Sequence, residues 1–413
     1  MTAAAPAQTL RYERKREEIL DAAAALFNAR GLSGTTIADV AQGVGLTTTS
    51  VTYYYRKKED LAAACVVRAT DAMDGLLTRA EAEASPPERL TRFIALYFAL
   101  LAEVADKRRP PFINFWDLRA MQGARGEAAV AAFVALFRRF RLLFTTAEGP
   151  VFSRAEQNAR AHLVFSAVLW GKEWVGRFEL EDYPRAAARF ADVLIGGLAG
   201  PKAGWGPPAL ALTQPRVGGA EVTPEAFLRA ATELVNEQGY RGASVDRISA
   251  RLRVTKGSFY HHNETKDELV GQCFQRTFEV IRLAHRLAVP AGADGWSRLC
   301  ALAAALVRHQ LSEHGPLLRY SALSATPQAM RPGLLADFDR LAQRTAGLIA
   351  DGIADGSIRA VDPAIAAEVV TGMVNAAAEL SKWSPTVTEA TAAELFVRPA
   401  VLGLFSVGTA TAS

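Results

Sequence analysis

The chain has 413 residues, half of them hydrophobic and 22% charged, a length for two or three domains and a composition too apolar and well mixed for a disordered tail. A net charge of only +4 at a pI of 9.0 excludes a polycation that coats nucleic acid or anionic lipid without selection, so any DNA binding must come from placed charges. Three cysteines, an opening segment with no apolar core behind its charges, and no run near the roughly 18 apolar residues of a membrane span argue against a secreted or membrane protein, and cytoplasm is the expected location.

Abundant Ala, Leu, Arg and Glu, with almost no alternating β-branched runs, predict an all-α fold. The first predicted helix carries Ile19, Leu20, Ala23, Leu26 and Phe27 at helical spacing and stops at Gly31. Thr36 then caps a short helix with Ile37, Val40 and Ala41; Gly43-Val44-Gly45 makes a turn; Thr47 caps a third helix through Val51 to Tyr55. Two short helices across a tight turn read as a helix-turn-helix. Amphipathic helices follow to residue 199, and the Gly/Pro-rich stretch 200–222 breaks the periodicity as a linker.

Beyond the linker the opening unit recurs without a gap at an offset of 208, pairing Leu20 with Leu228, Gly31 with Gly239, Thr47 with Thr255, Lys58 with Lys266 and Cys65 with Cys273. Matching turn glycines with matching apolar positions between them mark a duplication. The second copy is capped at Ser244 and Thr255, and its next helix opens on Thr265 and Glu268, a capping pair, where the first copy has Lys57. The domains are therefore 1–61 (basic arm and first helix-turn-helix), 62–199 (first helical body), 200–222 (linker), 223–269 (second helix-turn-helix) and 270–413 (second body).

A helix that reads the major groove is short, capped, apolar inside and furnished outside with hydroxyls, amides, aromatics and a few cations. Thr48, Thr49, Thr52, Tyr53 and Tyr54 meet that description in copy one, and Lys256, Gly257, Ser258, Tyr260, His261 and His262 in copy two. The caps Thr36, Thr47, Ser244 and Thr255 join them, while Lys58, Lys266 and the arm Arg11, Arg14, Lys15 and Arg16 suit phosphates. Residues 11–61 hold eight Lys/Arg against seven Asp/Glu and residues 223–269 hold seven against seven, so placement and not bulk charge carries the reading.

Both units resemble the DNA-binding head of the tetracycline-repressor (TetR) family, through the glycine stop, the short capped helix and the tails SVTYYYRKKEDL, Ser50 to Leu61, and SFYHHNETKDEL, Ser258 to Leu269. A looser echo is GLIADGIADGSIRAVDP, Gly347 to Pro363. Two departures stand out: Thr52 lies where the family has tyrosine, and Asn263 replaces the terminal aromatic that Tyr55 supplies in copy one. The resemblance implies that each body binds a ligand and dimerises through its last two helices. Those are about Ala155 to Arg177 with Tyr183 to Leu198, and about Pro363 to Trp383 with Thr388 to Val407. One chain carrying both pairs implies a monomeric pseudo-dimer whose unlike heads address a double-stranded operator with two non-identical half-sites, about 34 Å apart.

Residues 62–198 hold seventeen aromatics and residues 270–413 only eight, which assigns a small apolar or aromatic effector to the first body. Tyr97, Phe98, Phe112, Phe115, Trp116, Phe165 and Trp170 are candidate walls, with Asn114, Arg119 and His162 as polar handles. The expected function is a ligand-responsive repressor. Two alternatives stand beside it: one head degenerate and used for structure or protein interaction, or an all-helical enzyme, against which no Walker loop, GxSxG, HExxH or Rossmann fingerprint is found. No cofactor or metal is expected, since His309 and His314 are five apart, the wrong spacing for one helix face, and no Cys-x-x-Cys pair occurs.

Overall fold

The computed structural model describes residues 7–32, 34–115, 124–145, 152–212, 223–255, 257 and 265–407. Among them no strand forms, and the only sheet-like pairing is one bridge between Ala199 and Ile358. The first half runs α1 (Ala7–Arg30), α2 (Ile37–Gly43), α3 (Thr48–Tyr54), α4 (Lys58–Ala80), α5 (Pro86–Ala105), α6 (Ala124–Leu142), α7 (Arg154–Trp174) and α8 (Tyr183–Gly196). The second runs α9 (Pro224–Gly242), α10 (Val245–Leu252), α11 (Lys266–Ala291), α12 (Gly295–Leu311), α13 (Arg331–Ala354) and α14 (Pro363–Ala377), then short pieces to Leu402. No described helix is long and apolar enough to cross a membrane.

The duplication survives in the smallest details of packing. Gly31 and Gly239 both take positive φ, 69° and 72°, the first directly after α1 and the second as a break in helical geometry near the end of α9. Cys65 and Cys273 are both buried, each thiol set against the carbonyl of the leucine 45 residues earlier, Leu20 at 3.6 Å and Leu228 at 3.4 Å. Burial pushes both thiols up, to about 12 and about 11, which suits core filling and not redox chemistry.

Each head has its own apolar cluster, whereas the two bodies share one continuous core. α7 and α8 pack against α14 and the final helical run. Trp170 of α7 lies on Gly372 of α14, where a Cβ would come within 3.0 Å of the indole. Its Nε1–H donates to the buried carboxylate of Glu368 at 2.9 Å, and Arg177 reaches the other oxygen at 2.5 Å. Burial pushes the Glu368 carboxyl up, against the opposing pull of Arg177 and of the Trp170 hydrogen bond. The ends of the bodies cross at two glycines. A Cβ on Gly197 (φ +68°) would lie 2.4 Å from the carbonyl carbon of Leu402, and one on Gly403 (φ +99°) 2.4 Å from the carbonyl oxygen of Ile195.

Two expectations need correction. The last bundle element, expected from Thr388 to Val407, is instead Glu389–Ala392, a π-helical turn Ala393–Val397 and Arg398–Leu402. Pro399 offers no N–H to the Leu395 carbonyl, and the wider turn accommodates that loss. The element expected from Pro363 to Trp383 is interrupted after Ala377 and resumes over Leu380–Trp383. In the linker, residues 200–212 are strapped to the second body. Gly200 N–H donates to Ser357, the Trp205 indole to Glu394 and the Trp296 indole to the Gly204 carbonyl, at 2.9, 2.6 and 2.8 Å. Residues 213–222 lie outside the described residues.

Candidate nucleic-acid interface and ligand cavity

In the first head α3 is short because Thr47 caps it, accepting from Ser50 N at 3.2 Å, and because Tyr55 leaves helical geometry at its end. Val51 and Tyr55 point inward and are buried, which turns Thr48, Thr49 and Tyr53 outward. Tyr53 is 76% exposed, an aromatic that folding alone gives no reason to display. Thr52 is half-buried, and its hydroxyl donates to the Thr49 carbonyl at 2.9 Å. Tyr54 stacks on Tyr12 of the arm at 4.8 Å, with Tyr53 edge-on to Tyr54 at 5.3 Å. Tyr12 was missed in the sequence; only its place in a basic arm could have signalled it.

Thr36 is spent on the fold, since its hydroxyl accepts from Asp39 N at 3.1 Å and donates to the Asp39 carboxylate at 2.6 Å. That holds the Asp39 carboxyl below its usual range. The arm is less free for phosphates than its charges suggest: Arg14 and Lys15 pair with Glu18, and Arg16 Nε donates to the Tyr55 hydroxyl at 3.1 Å. Arg56 and Lys57, exposed in the turn after α3, are the cations sequence reading passed over; Lys58 is half-buried.

In the second head Ser244 caps α10 by accepting from Arg247 N at 3.3 Å, and Thr265 caps α11 by accepting from Glu268 N at 3.1 Å. Lys57, at the matching position, makes no side-chain cap. Lys266 is half-buried like Lys58, while Thr255 and Gly257 are exposed. Lys256, Ser258, Tyr260, His261 and His262 lie outside the described residues. The turn before the third helix uses Gly45 at φ +64° in the first head and Arg253 at φ +57° in the second, a left-handed conformation that costs a non-glycine residue about 1 kcal/mol.

A cavity of about 370 Å³ opens in the first body among α1, α4, α5, α7 and the segment 111–115. Tyr97, Phe112, Asn114 and Phe115 line it, with Met73, Leu101 and Lys172. Burial pushes the Tyr97 phenol up, so it stays a neutral donor, and the Lys172 ammonium contacts the Asn114 amide oxygen. The counterpart in the second body holds only about 60 Å³. There Thr277 and Ile281 replace Ala69 and Met73. The Thr277 hydroxyl and the Gln310 amide turn onto the backbone N–H groups of Leu318 and Leu317, both at 2.9 Å, and Phe338 fills the side. A further cavity of about 350 Å³ lies between the halves, and Phe115, His162 and Phe165 line it.

Phe98 and Trp170 reach neither large cavity and are corrected here to core residues: Phe98 packs between Trp174 and Phe190, and Trp170 sits on α14. Trp116 and Arg119 lie outside the described residues. Among the described residues no three His, Cys, Asp or Glu side chains converge on a metal site.

The wall of the large cavity is hydrogen-bonded to its head through Asn28, beside the burial of Ile113 in the head's own apolar cluster. Asn28 of α1 donates from Nδ2 to the Phe112 carbonyl at 2.7 Å and accepts from Asn114 N at 2.8 Å. Asn236, 208 residues on, repeats the clamp with the Leu317 carbonyl at 2.9 Å and Arg319 N at 3.0 Å. A side-chain amide that satisfies a carbonyl and an N–H two residues apart fixes that segment to the helix.

The family model for bacterial regulatory proteins, tetR family, matches residues 19–65 and again 227–273, and that for a tetracyclin repressor-like C-terminal domain matches residues 292–383. The chain is similar to the HTH-type transcriptional repressor DhaR of Mycobacterium sp. (strain GP1), 31% identical over 131 residues, covering 31% of this chain and 66% of that protein. It is also similar to the transposon Tn10 TetC protein of Escherichia coli, 35% identical over 77 residues, covering 19% and 39%. The chain thus spans less than two thirds of either relative. Among solved structures, apo AibR is 22% identical with a TM-score of 0.35, covering 42% of this chain and 94% of that one.

Proposed function

We propose that this chain, which carries the head of the tetR family of bacterial regulatory proteins twice, is a sequence-specific DNA-binding transcriptional regulator working in the cytoplasm. The observation that carries the reading is the pairing of two such heads on one continuous body core, so that a single chain supplies what a dimer otherwise supplies. The two heads present different groups, Thr48 and Thr49 against Lys256 and Gly257, and therefore read an operator with two non-identical half-sites about 34 Å apart. Phosphate contacts fall to Lys58, Lys266 and the exposed Arg56 and Lys57.

The effector site is the cavity of the first body, apolar and aromatic with Asn114, Lys172 and the Tyr97 hydroxyl as polar handles. The near-closure of its counterpart supports one effector per chain. Occupation moves segment 111–115, the Asn28 clamp passes the movement to α1, and the first head tilts out of register with the second. A coupling of roughly 1–3 kcal/mol changes operator affinity about 5- to 150-fold. The sign of regulation follows the likeness to a named repressor. An all-helical enzyme gains no support from the family.

The test is selection of random duplex DNA by the purified chain at a stated salt concentration, repeated with Thr48→Ala and Lys256→Ala. A two-part site, with each substitution relaxing a different half, is expected. Loss confined to one variant means one working head, and no enrichment by a folded chain overturns the reading.

A further inference from the structure

The lining of the first-body cavity says which chemistry it takes. Apolar side chains make most of the wall, and two of its polar members are phenols, Tyr97 at 5% exposure and Tyr183 at 4%. Neither hydroxyl has a hydrogen-bond partner among the described residues, and neither oxygen is sealed in the core, so both open onto the cavity that they line. A tyrosine buried this far ordinarily finds a partner for its O–H, because leaving that bond unmade is costly. Burial, with Glu173 nearby, keeps the Tyr97 phenol protonated.

The remaining polar groups are largely committed. The Asn114 amide oxygen receives the Lys172 ammonium, while Asn114 Nδ2 has no partner among the described residues. Lys172 is also paired with Glu173 at 3.1 Å, so its charge is balanced before any ligand enters. The Asn28 amide is engaged by the Phe112 carbonyl and the Asn114 backbone N–H. What the lining leaves unspent is therefore O–H and N–H donors, with no uncompensated charge. Benzene fills an apolar cavity of about 150 Å³, and at that packing about 370 Å³ takes a molecule of about fifteen heavy atoms.

We propose that the effector is a neutral carbonyl compound of that size, a ketone, ester, lactone or amide, whose oxygen accepts from the Tyr97 hydroxyl, with Tyr183 and Asn114 Nδ2 as the further donors. A hydrocarbon of equal size fills the space but leaves these donors unmatched, and a carboxylate loses its hydration without meeting a free cation. A carbonyl oxygen brings two lone pairs and no charge. Assigning this class deepens, and rests on, the reading of this cavity as the effector site. It also sets the effector beside Asn114, whose backbone N–H is held by Asn28 of the first head.

The test titrates the full-length chain with 6-propionyl-2-(dimethylamino)naphthalene, a neutral fluorescent ketone whose emission moves to the red when its carbonyl accepts a hydrogen bond. Two relatives serve as controls, the 6-propyl compound without the carbonyl and the 4-oxobutanoate that adds a carboxylate. The ketone is expected to bind tightest. Tyr97→Phe lowers its affinity about fivefold and moves its bound emission to the blue, while the propyl compound binds as before. Leu101→Trp or Val104→Phe, at half-buried wall positions, fills the cavity and abolishes binding of the ketone and the propyl compound. Equal affinity for ketone and propyl compound, tightest binding of the carboxylate, or unchanged ketone affinity and emission in Tyr97→Phe overturns the carbonyl class. If those results come with binding that the filling variants abolish, the cavity stands as the effector site and only the ligand class falls. If no probe binds, or if both filling variants fold and bind as the parent does, the effector-site reading falls with it.

Discussion

Replacing Asn28 by alanine removes the two hydrogen bonds by which the first head holds the cavity segment 112–114, at 2.7 and 2.8 Å. Each is worth about 0.5–1.5 kcal/mol net, so the local attachment of segment 112–114 to α1 weakens by about 2 kcal/mol, within a range of roughly 1–3. In native-state hydrogen exchange that corresponds to about 30-fold faster exchange of amides in segment 111–115 and the adjoining turn of α1. Asn236→Ala, at the repeated clamp, accelerates segment 317–319 and α9 by a similar factor and leaves the first half unchanged. Because the two clamps share no partners, the double variant shows both effects added. The functional counterpart is that Asn28→Ala binds effector in the cavity yet loses most of the effector's influence on operator affinity. Exchange in segment 111–115 altered less than threefold, or acceleration spread evenly over both halves, would refute the clamp as the link.

Three further outcomes follow from particular residues. Arg253→Gly relieves the left-handed turn of the second head and raises its stability by about 0.5–1 kcal/mol in urea unfolding, while Gly45→Arg lowers the first by at least as much. Glu368→Ala leaves the buried Trp170 N–H without its acceptor and costs about 2–3 kcal/mol, whereas Glu368→Gln keeps an acceptor and costs less; equal losses contradict the hydrogen-bond account. His285 and His309 are buried, and burial, with Arg344 beside one and Arg276 beside the other, holds each down at about 4 against 6.5. The unfolded chain therefore binds more protons between those values. The stability each contributes is complete above pH 6.5 and lost as pH falls toward 4, about 2 kcal/mol apiece at pH 5. Urea unfolding at pH 7 and pH 5 should show that loss, and His309→Gln should remove about half of it.

The heads were legible because their logic is local. A glycine at a helix stop, a threonine one residue before a helix and a leucine at helical spacing declare their roles wherever the chain goes, and the repeat at 208 stated them twice. The cavity was only half legible, since periodicity says which face of a helix is buried and not what it is buried against. Phe98 and Tyr97 are neighbours in sequence, yet one packs between Trp174 and Phe190 and the other faces the cavity. Trp170 looked like a ligand wall and is the bolt between halves, because its partner Glu368 is 198 residues away. The Gly/Pro stretch reads as a linker from its composition, which is silent about the tryptophan contacts that strap it down. Asn28 and Asn236 carried no signal until their partners, 84 and 81 residues distant, were in view.

Whether one chain carries the whole of a two-headed operator reader is decided by the number of chains on an operator. Sedimentation velocity of the protein on a selected duplex, at concentrations well above the dissociation constant, measures the number of chains per site. One 44.4 kDa chain per duplex is expected, with protection of both half-sites in the same complex. Two chains per duplex, each protecting one half-site, would contradict it.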